Sequence, residues 1–387
     1  MKIEKNLNEN ELTLKLEGRL DTMTSPELEK ELGDLNGVNS IVFDFENLEY
    51  ISSSGLRILL SCQKKMNAQG KMVIKNVSDE VKNVFDMTGF TEMMDISKAF
   101  RELSVDGCEV IGEGFYGIVY RMDPETIVKV YKKGSSIDSV KREIELARKA
   151  FVMGIPTAIP YDIVKVGDLY GSVFELLNSQ SIPKLIVEGA NVEKLVRDSV
   201  NVLKKIHSTE LPSHELPSQK DKKIAWAKDC AEYLPTETLN QLISWIESIP
   251  DTNTMIHGDF HIKNMMLQNG ELLLIDMDTL STGHPIFELG AIYATYARFA
   301  CVNENNPQEF LGISYEQSKK ILELTFEYYF EGQPQEYKEK MMESAKIISC
   351  LEVLWYRTKF LEPDNEIQKR EIEFCVNYLT QNVHPIW

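Results

Sequence analysis

Positive charge is scarce in this chain. Its 387 residues hold 42 lysines and arginines against 60 aspartates and glutamates, a net charge of −18. Nucleic acids and anionic membrane surfaces are held by basic surfaces, so neither is an expected partner. The imbalance permits a cationic partner without pointing to one. Cysteine is sparse as well. Cys62, Cys108, Cys230, Cys301, Cys350 and Cys375 are scattered and form no CxxC pair. This spacing excludes a disulfide or zinc framework and predicts small, buried, apolar residues in a reducing compartment. Long apolar runs are also missing. No segment approaches the roughly 20 residues needed to span a bilayer. The opening MKIEKNLNENELTLKLEG is charged throughout, without the apolar stretch of a secretion signal. A cytoplasmic protein is expected.

What remains is ordinary globular material: 43% apolar and 26% charged residues. The length predicts two or three domains. In the first hundred residues, ELTLKLEGRL from Glu11 alternates apolar and polar positions, the pattern of a half-buried strand. Thr24 to Leu35 opens on Ser25-Pro26 and repeats leucine at 28, 32 and 35, which predicts a capped amphipathic helix. Ile41 to Phe43 starts a buried strand. LEYISSSGLRILLSCQKKM then reads as a short strand, a serine-glycine turn and a second helix. KMVIK predicts a further strand, and Asp79 to Met87 a further helix. Strands alternating with helices over this length make a compact α/β module.

Within it, YISSSGLR at Tyr50–Arg57 resembles the STAS domain of bacterial anti-sigma-factor antagonists. The resemblance implies that the serine before the glycine, Ser54, is the phosphorylation site of a partner switch and that an anti-sigma factor is a partner. A phosphate there would sit at the positive end of a helix dipole and add nearly two charges to a docking surface. Many members carry an acidic residue two positions earlier, where this chain has Ser52. The alternative reading is that one of Ser52, Ser53 and Ser54 is simply the helix N-cap.

The pattern weakens between Asp95 and Asp106, where KAFREL looks helical, and a domain boundary is placed near Val105. Residues 112–117 then read Gly-Glu-Gly-Phe-Tyr-Gly. Dinucleotide-binding folds share this G-x-G-x-x-G spacing, but there a helix follows. Here GIVYRMDPETIVKVYKK follows, two strands joined at Asp123-Pro124. A glycine loop between strands is the kinase arrangement, with the backbone amides of Gly112, Gly114 and Gly117 lying over phosphates. Lys129 lies mid-strand, and Glu143 and Glu145 follow on a predicted helix. A kinase needs one glutamate there to hold the lysine, and Glu143 is assigned because REIELA resembles the arginine-glutamate pair of such proteins. Glu145 lies about 200° around the helix and is expected to be exposed. GSVFELLN is placed as the hinge, with Glu175 and Leu177 beside an adenine ring.

MIHGDFHIKNMMLQNGELLLIDMDTL carries the chemistry. Asp259 and Asn264 are five residues apart, and Asp276 follows an apolar strand. One aspartate to accept a hydroxyl proton, with an asparagine and a second aspartate to hold magnesium, is a phosphoryl-transfer set. His257 and His261 are a weaker zinc pair, lacking a third ligand.

HGDFHIKN with IDMD resembles the aminoglycoside phosphotransferase and choline kinase family, not protein kinases with H-R-D, D-F-G and A-P-E. The resemblance implies ATP and Mg²⁺, with Asp259 catalytic and Asn264 and Asp276 metal-binding. It also implies that GHPIFELG ends in a brace for the catalytic loop, Glu288, where aspartate is usual. Asp278 either helps a second metal or is solvated. C-terminal helices form the substrate side in this family. Tyr328, Tyr329, Trp355 and Tyr356 either line a pocket for a cation or belong to the core.

The expected architecture is an α/β STAS-like domain at 1–100 and an α+β bilobal kinase-like domain at 107–387, with lobes at 107–178 and 179–387. The expected function is ATP- and Mg²⁺-dependent transfer to a hydroxyl of a small-molecule acceptor. The alternative is a partner-switching protein, phosphorylatable at Ser54, with a regulatory nucleotide-binding domain. A third reading joins them, with the kinase domain phosphorylating Ser54.

Overall fold

The computed structural model describes residues 1–383 other than Phe115 and residues 213–214. Two compact units divide it, Met1–Ser104 and Val105 onward.

The first unit is one five-stranded sheet with three helices. In chain order these are β1 (Lys2–Asn8), β2 (Glu11–Leu20), α1 (Ser25–Leu32), β3 (Ser40–Ile51), α2 (Ser53–Gln69), β4 (Lys71–Val77), α3 (Asp79–Met87) and β5 (Asp95–Lys98). The strands lie in the order β1-β2-β3-β4-β5, with β1 antiparallel to β2 and the rest parallel. The alternation in β2 buries Leu12, Leu14, Leu16 and Leu20 on one face. Phe43, Phe45 and Phe85 fill the centre, each contributing about 1.5–3 kcal/mol by leaving water. Ile41–Phe43 and the stretch before the serines are not two strands. They are one, because pairing with β2 runs on through two register shifts. β1 was not foreseen, since its side chains are almost all exposed and carry no apolar period. KAFREL is not helical: β5 ends at Lys98, and Arg101–Glu102 form a short strand, β6. The edge of the sheet holds the start of this stretch extended, the Ala99 N–H donating to the Val77 carbonyl at 3.1 Å.

The second unit begins with an antiparallel sheet. Its strands are β7 (Glu109–Glu113), β8 (Gly117–Arg121), β9 (Thr126–Tyr131), β10 (Pro160–Val166) and β11 (Leu169–Glu175). They run in the order β10-β11-β9-β8-β7, and α4 (Ile137–Val152) packs on β10 and β11. Then follow β12 (Gln180–Ser181), α5 (Ile182–Val187), α6 (Val192–His207), α7 (Gln219–Asp229), α8 (Thr236–Ser248) and β13 (Met255–Ile256). The hairpin β14 (Met265–Gln268) and β15 (Glu271–Leu274) leads to β16 (Ser281–Thr282) and α9 (Ile286–Tyr293). A π-helical turn at Ala294–Arg298 precedes α10 (Asn306–Leu311), α11 (Tyr315–Tyr329), α12 (Gln335–Lys359) and α13 (Glu366–Asn382). α12 is buried on nearly every side between Met341 and Leu354, which makes it the axis of this helical part.

Among the described residues no helix is long and apolar enough to cross a membrane. Cys62, Cys230, Cys350 and Cys375 are buried and free, but Cys301 is exposed and Cys108 only half-buried. The expectation of six buried thiols is corrected accordingly; Cys301 sits on a short 3₁₀ turn, where one face must meet water.

Candidate active site

Lys129 lies in β9 between Val119 of β8 and Ser172 of β11, so its side chain leaves one face of the sheet. Its Nζ donates to Glu143 Oε1 of α4 at 2.8 Å and stands 3.6 Å from Asp276 Oδ1. Burial works against the ammonium, but the Asp276 and Glu143 carboxylates outweigh it and raise the pKa above the usual lysine value. Glu145 faces solvent.

The loop after β13 is fixed from below. Glu288, fully buried on α9, accepts the His257 N–H at 2.6 Å and the Gly258 N–H at 2.9 Å. Burial alone would raise its pKa; the His207 and His257 imidazoles and the Gly258 N–H reverse this and hold it below the ordinary value. Thr279 Oγ1 donates to the His257 carbonyl at 2.7 Å, closing the loop from the other side. At Gly258 φ is +89°, and a Cβ would come within 2.6 Å of the Thr279 carbonyl, so a side chain cannot be accommodated. His257 Nδ1 accepts the Asp259 N–H at 3.2 Å, and burial lowers the ring's pKa, consistent with a neutral imidazole protonated on Nε2.

Asp259 and Asn264 meet directly. Asn264 Nδ2 donates to Asp259 Oδ2 at 2.9 Å and to the Asp259 carbonyl at 3.0 Å, so its Oδ1 takes no part in these two bonds. His261 Nε2 lies 3.1 Å from Asp259 Oδ1. Burial opposes ionisation of Asp259, yet the His261 hydrogen bond and charge bring its pKa down to about 2. Asp276 follows β15, and the neighbouring Ile275 N–H donates to the Asn264 carbonyl at 2.9 Å, tying the two segments together. Asp276 itself has φ +65°, a strained backbone that aspartate tolerates better than most residues. Two residues on, burial and then the Asp276 and Glu143 carboxylates push the Asp278 carboxyl up to about 7.

The glycine loop joins β7 to β8, with Phe115 outside the described residues. Gly114 N–H donates to the Gly117 carbonyl at 2.9 Å. A Cβ on Gly117 would lie 2.4 Å from the Val130 carbonyl, whereas one on Gly112 or Gly114 would meet its nearest neighbours at an ordinary 3.8–3.9 Å. Partial burial, then the Asp278, Asp276 and Asp259 carboxylates, raise the Tyr116 phenol pKa, which places this loop residue within electrostatic reach of the aspartates. Glu175 ends β11; its N–H donates to Ile159 and its carboxylate accepts the Ile159 N–H. The Leu177 carbonyl takes the Ser179 N–H at 2.9 Å.

Sequence reasoning missed the hollow beside Asp259. A cavity of about 290 Å³ is walled by the π-helical turn and by residues of α7, α10 and α12, with Trp226, Glu352 and Arg357 around it. Trp355 and Tyr356 line it, as one of the two readings had them. Tyr328 and Tyr329 do not: Tyr328 packs under Arg197, and the Tyr329 hydroxyl bonds His207 Nδ1 at 2.7 Å. The π-turn is the overlooked signal's cause, because one inserted residue breaks the helical period that pattern reading follows. Among the described residues no cluster of three or more His, Cys, Asp or Glu side chains is arranged to hold a metal, so a zinc pair at His257 and His261 has no third ligand. In the first unit, Ser52 is the N-cap of α2, its Oγ accepting the Ser54 N–H at 3.2 Å, and Ser54 Oγ lies 3.3 Å from Thr22 Oγ1.

Comparison with known proteins follows the same division. Residues 107–308 match the phosphotransferase enzyme family, and residues 2–103 match the STAS domain. The anti-sigma-B factor antagonist of Staphylococcus aureus is 33% identical over 88 residues, covering 22% of this chain and 82% of that protein. Among solved structures, the streptomycin–ATP–APH(2")-IIa ternary complex aligns with 20% identity and a TM-score of 0.47, over 70% of this chain and 90% of that one. A choline/ethanolamine kinase family protein from Mesorhizobium loti aligns with 12% identity and a TM-score of 0.46, over 72% and 88%. An α/β STAS domain therefore precedes a kinase-like fold, and the chain belongs to the phosphotransferase enzyme family.

Proposed function

We propose that the chain transfers the γ-phosphoryl group of ATP, with Mg²⁺, to a hydroxyl of a small molecule. The observation that carries this reading is the pairing of Lys129 with Asp276 at 3.6 Å and of Asn264 with Asp259 at 2.9 Å, the two pairs being tied by the Ile275 N–H on the Asn264 carbonyl at 2.9 Å. Residues 107–178 are the nucleotide-binding lobe and 179–387 the acceptor-binding lobe; residues 1–100 are a regulatory domain. Lys129, held by Glu143, steadies the α- and β-phosphates, while amides at Gly112, Gly114 and Gly117 cover them. The Glu175–Leu177 backbone meets adenine. Asn264 and Asp276 offer hard oxygens of the type Mg²⁺ takes, and two protein ligands suffice where phosphates and water complete the shell. Bound there, the ion neutralises charge developing on the transferred group.

Asp259 orients the acceptor. The hydroxyl oxygen bonds to the γ-phosphorus as the bond to the β–γ bridging oxygen breaks; ADP leaves, and the hydroxyl proton passes to Asp259. A carboxylate held at about 2 is a weak base, so its contribution is position, with proton transfer late. Glu288 braces the loop without touching the reacting atoms. Titration calorimetry with MgATP tests the nucleotide half of this reading. Wild type binds, Asp276→Asn binds weakly, and full binding by that variant contradicts the metal assignment.

A second reading concerns the STAS domain. Ser54 lies in the first turn of α2, where a phosphate meets the positive end of the helix, and the S. aureus relative is an anti-sigma-B factor antagonist. On this reading Ser54 is a phosphosite, and an anti-sigma factor or another signalling protein docks there. The kinase-like domain is then a source of regulation.

A further inference from the structure

The cavity beside Asp259 is rich in aromatic rings, which invites a cation. Its details oppose one. Trp226 and Trp355 stack on each other at 4.0 Å with planes 13° apart. The ammonium of Lys223 lies 3.8 Å from the Trp226 centroid and that of Lys359 lies 4.4 Å from Trp355. Phe310 carries Lys263 at 4.7 Å, and Phe299 and Tyr356 carry Arg357 at 4.9 and 5.6 Å. Every aromatic ring of the wall therefore already has a protein cation within the roughly 6 Å over which its quadrupole acts.

The carboxylates are taken as well. Glu352 is paired with the buried Lys223. Arg357, also on the wall, is held by the fully buried Glu371, with Nε 2.6 Å from Oε2. Asp259 faces His261. Among the residues lining the cavity, a positively charged acceptor would therefore find no carboxylate without a protein partner. Neutral donors and acceptors are on hand instead at Thr295 and Asn306. The volume of about 290 Å³ sits at the lower limit of the roughly 300–1,000 Å³ of small-molecule sites, room for one ring rather than several linked ones.

We infer that the acceptor is an uncharged, polyhydroxylated compound of monosaccharide size, and that the Lys223–Glu352 pair excludes amine-bearing analogues. The inference rests on the phosphotransferase reading of Asp259. It departs from a cation-binding role for Trp355 and Tyr356. Lys223 acts as a specificity residue, through the charge it withholds from the cavity.

The test pairs each neutral acceptor with its amine: glucose with glucosamine, galactose with galactosamine, and inositol with an aminodeoxyinositol, with choline and ethanolamine added as small cationic acceptors. ADP formation is followed for each, and MgATP binding is measured alongside. The neutral member of at least one pair is turned over with kcat/KM about tenfold or more above its amine. Lys223→Met, which frees Glu352, shifts that ratio at least about tenfold toward the amine. Should Lys223→Met fail to fold, Lys359→Gln, on an exposed side chain, is expected to shift the ratio in the same direction by uncovering one face of Trp355. Turnover of the cationic acceptors alone overturns the inference and leaves the phosphotransferase reading standing. MgATP binding with turnover of neither class also overturns it. Absence of MgATP binding removes both.

Discussion

Lys129 reaches across from β9 to Glu143 on α4, Nζ to Oε1 at 2.8 Å, and both side chains are largely shielded from solvent. Such a pair is worth more as alignment than as stability, since taking two charges out of water offsets much of their attraction. Replacing Lys129 with Met keeps the stem and removes the charge. The expected result is a fall in kcat/KM of roughly 10²–10³-fold, the scale of losing one preorganised electrostatic group. Steady-state ADP release measures it, and a change under tenfold contradicts the assigned role.

Glu288 gives a prediction in pH. Its folded pKa is lowered, so the stability it supplies is present above its unfolded value of about 4.3 and is lost as pH falls through the folded pKa. Glu288→Gln leaves one of two buried N–H groups poorly satisfied, at a cost of about 1–3 kcal/mol near pH 7. Thermal melts of the variant and wild type should differ most at pH 6–8 and draw together as pH falls below about 4.3 and through the lowered folded pKa. A gap that widens on acidification refutes the arrangement.

Gly117 is set by approach rather than by φ. A methyl group there meets the Val130 carbonyl at 2.4 Å, so β8 and β9 must part. Gly117→Ala is expected to cost about 1–3 kcal/mol by denaturant unfolding. Gly114→Ala, whose Cβ would meet the Gly117 carbonyl at an ordinary 3.9 Å, should cost under about 1 kcal/mol.

Ser54→Glu mimics added charge at the start of α2. On the partner-switch reading it weakens capture of a cognate anti-sigma factor by at least about tenfold, or ~1.4 kcal/mol, in surface-plasmon titration. Ser54→Ala leaves capture intact. Equal affinity for all three proteins contradicts a docking role for this surface.

Much of this was legible because the signals were local. Leucines alternating from 12 to 16 gave β2, and the serines before Gly55 gave the start of α2. The glycine loop, IVKVYK and HGDFHIKN carry their chemistry within a few residues. What escaped needed partners far along the chain. β1 has no apolar period and forms because β2 offers it an edge. β3 runs on as one strand through two register shifts against β2, where its side-chain pattern breaks. The cavity draws Trp226 from α7, Asn306 from α10 and Glu352 from α12, and the π-turn between α9 and α10 sets its wall. Nothing in the spacing of those residues announces that they meet.

The central claim is that Asp259 positions a hydroxyl for attack on ATP. ³¹P NMR of wild type and Asp259→Asn, each with MgATP and the acceptor pool, tests it most directly. Wild type should convert ATP to ADP and a new phosphomonoester, while Asp259→Asn binds MgATP equally well and is slower by roughly 10²–10⁴-fold. Equal rates of phosphomonoester formation in the two proteins would contradict it.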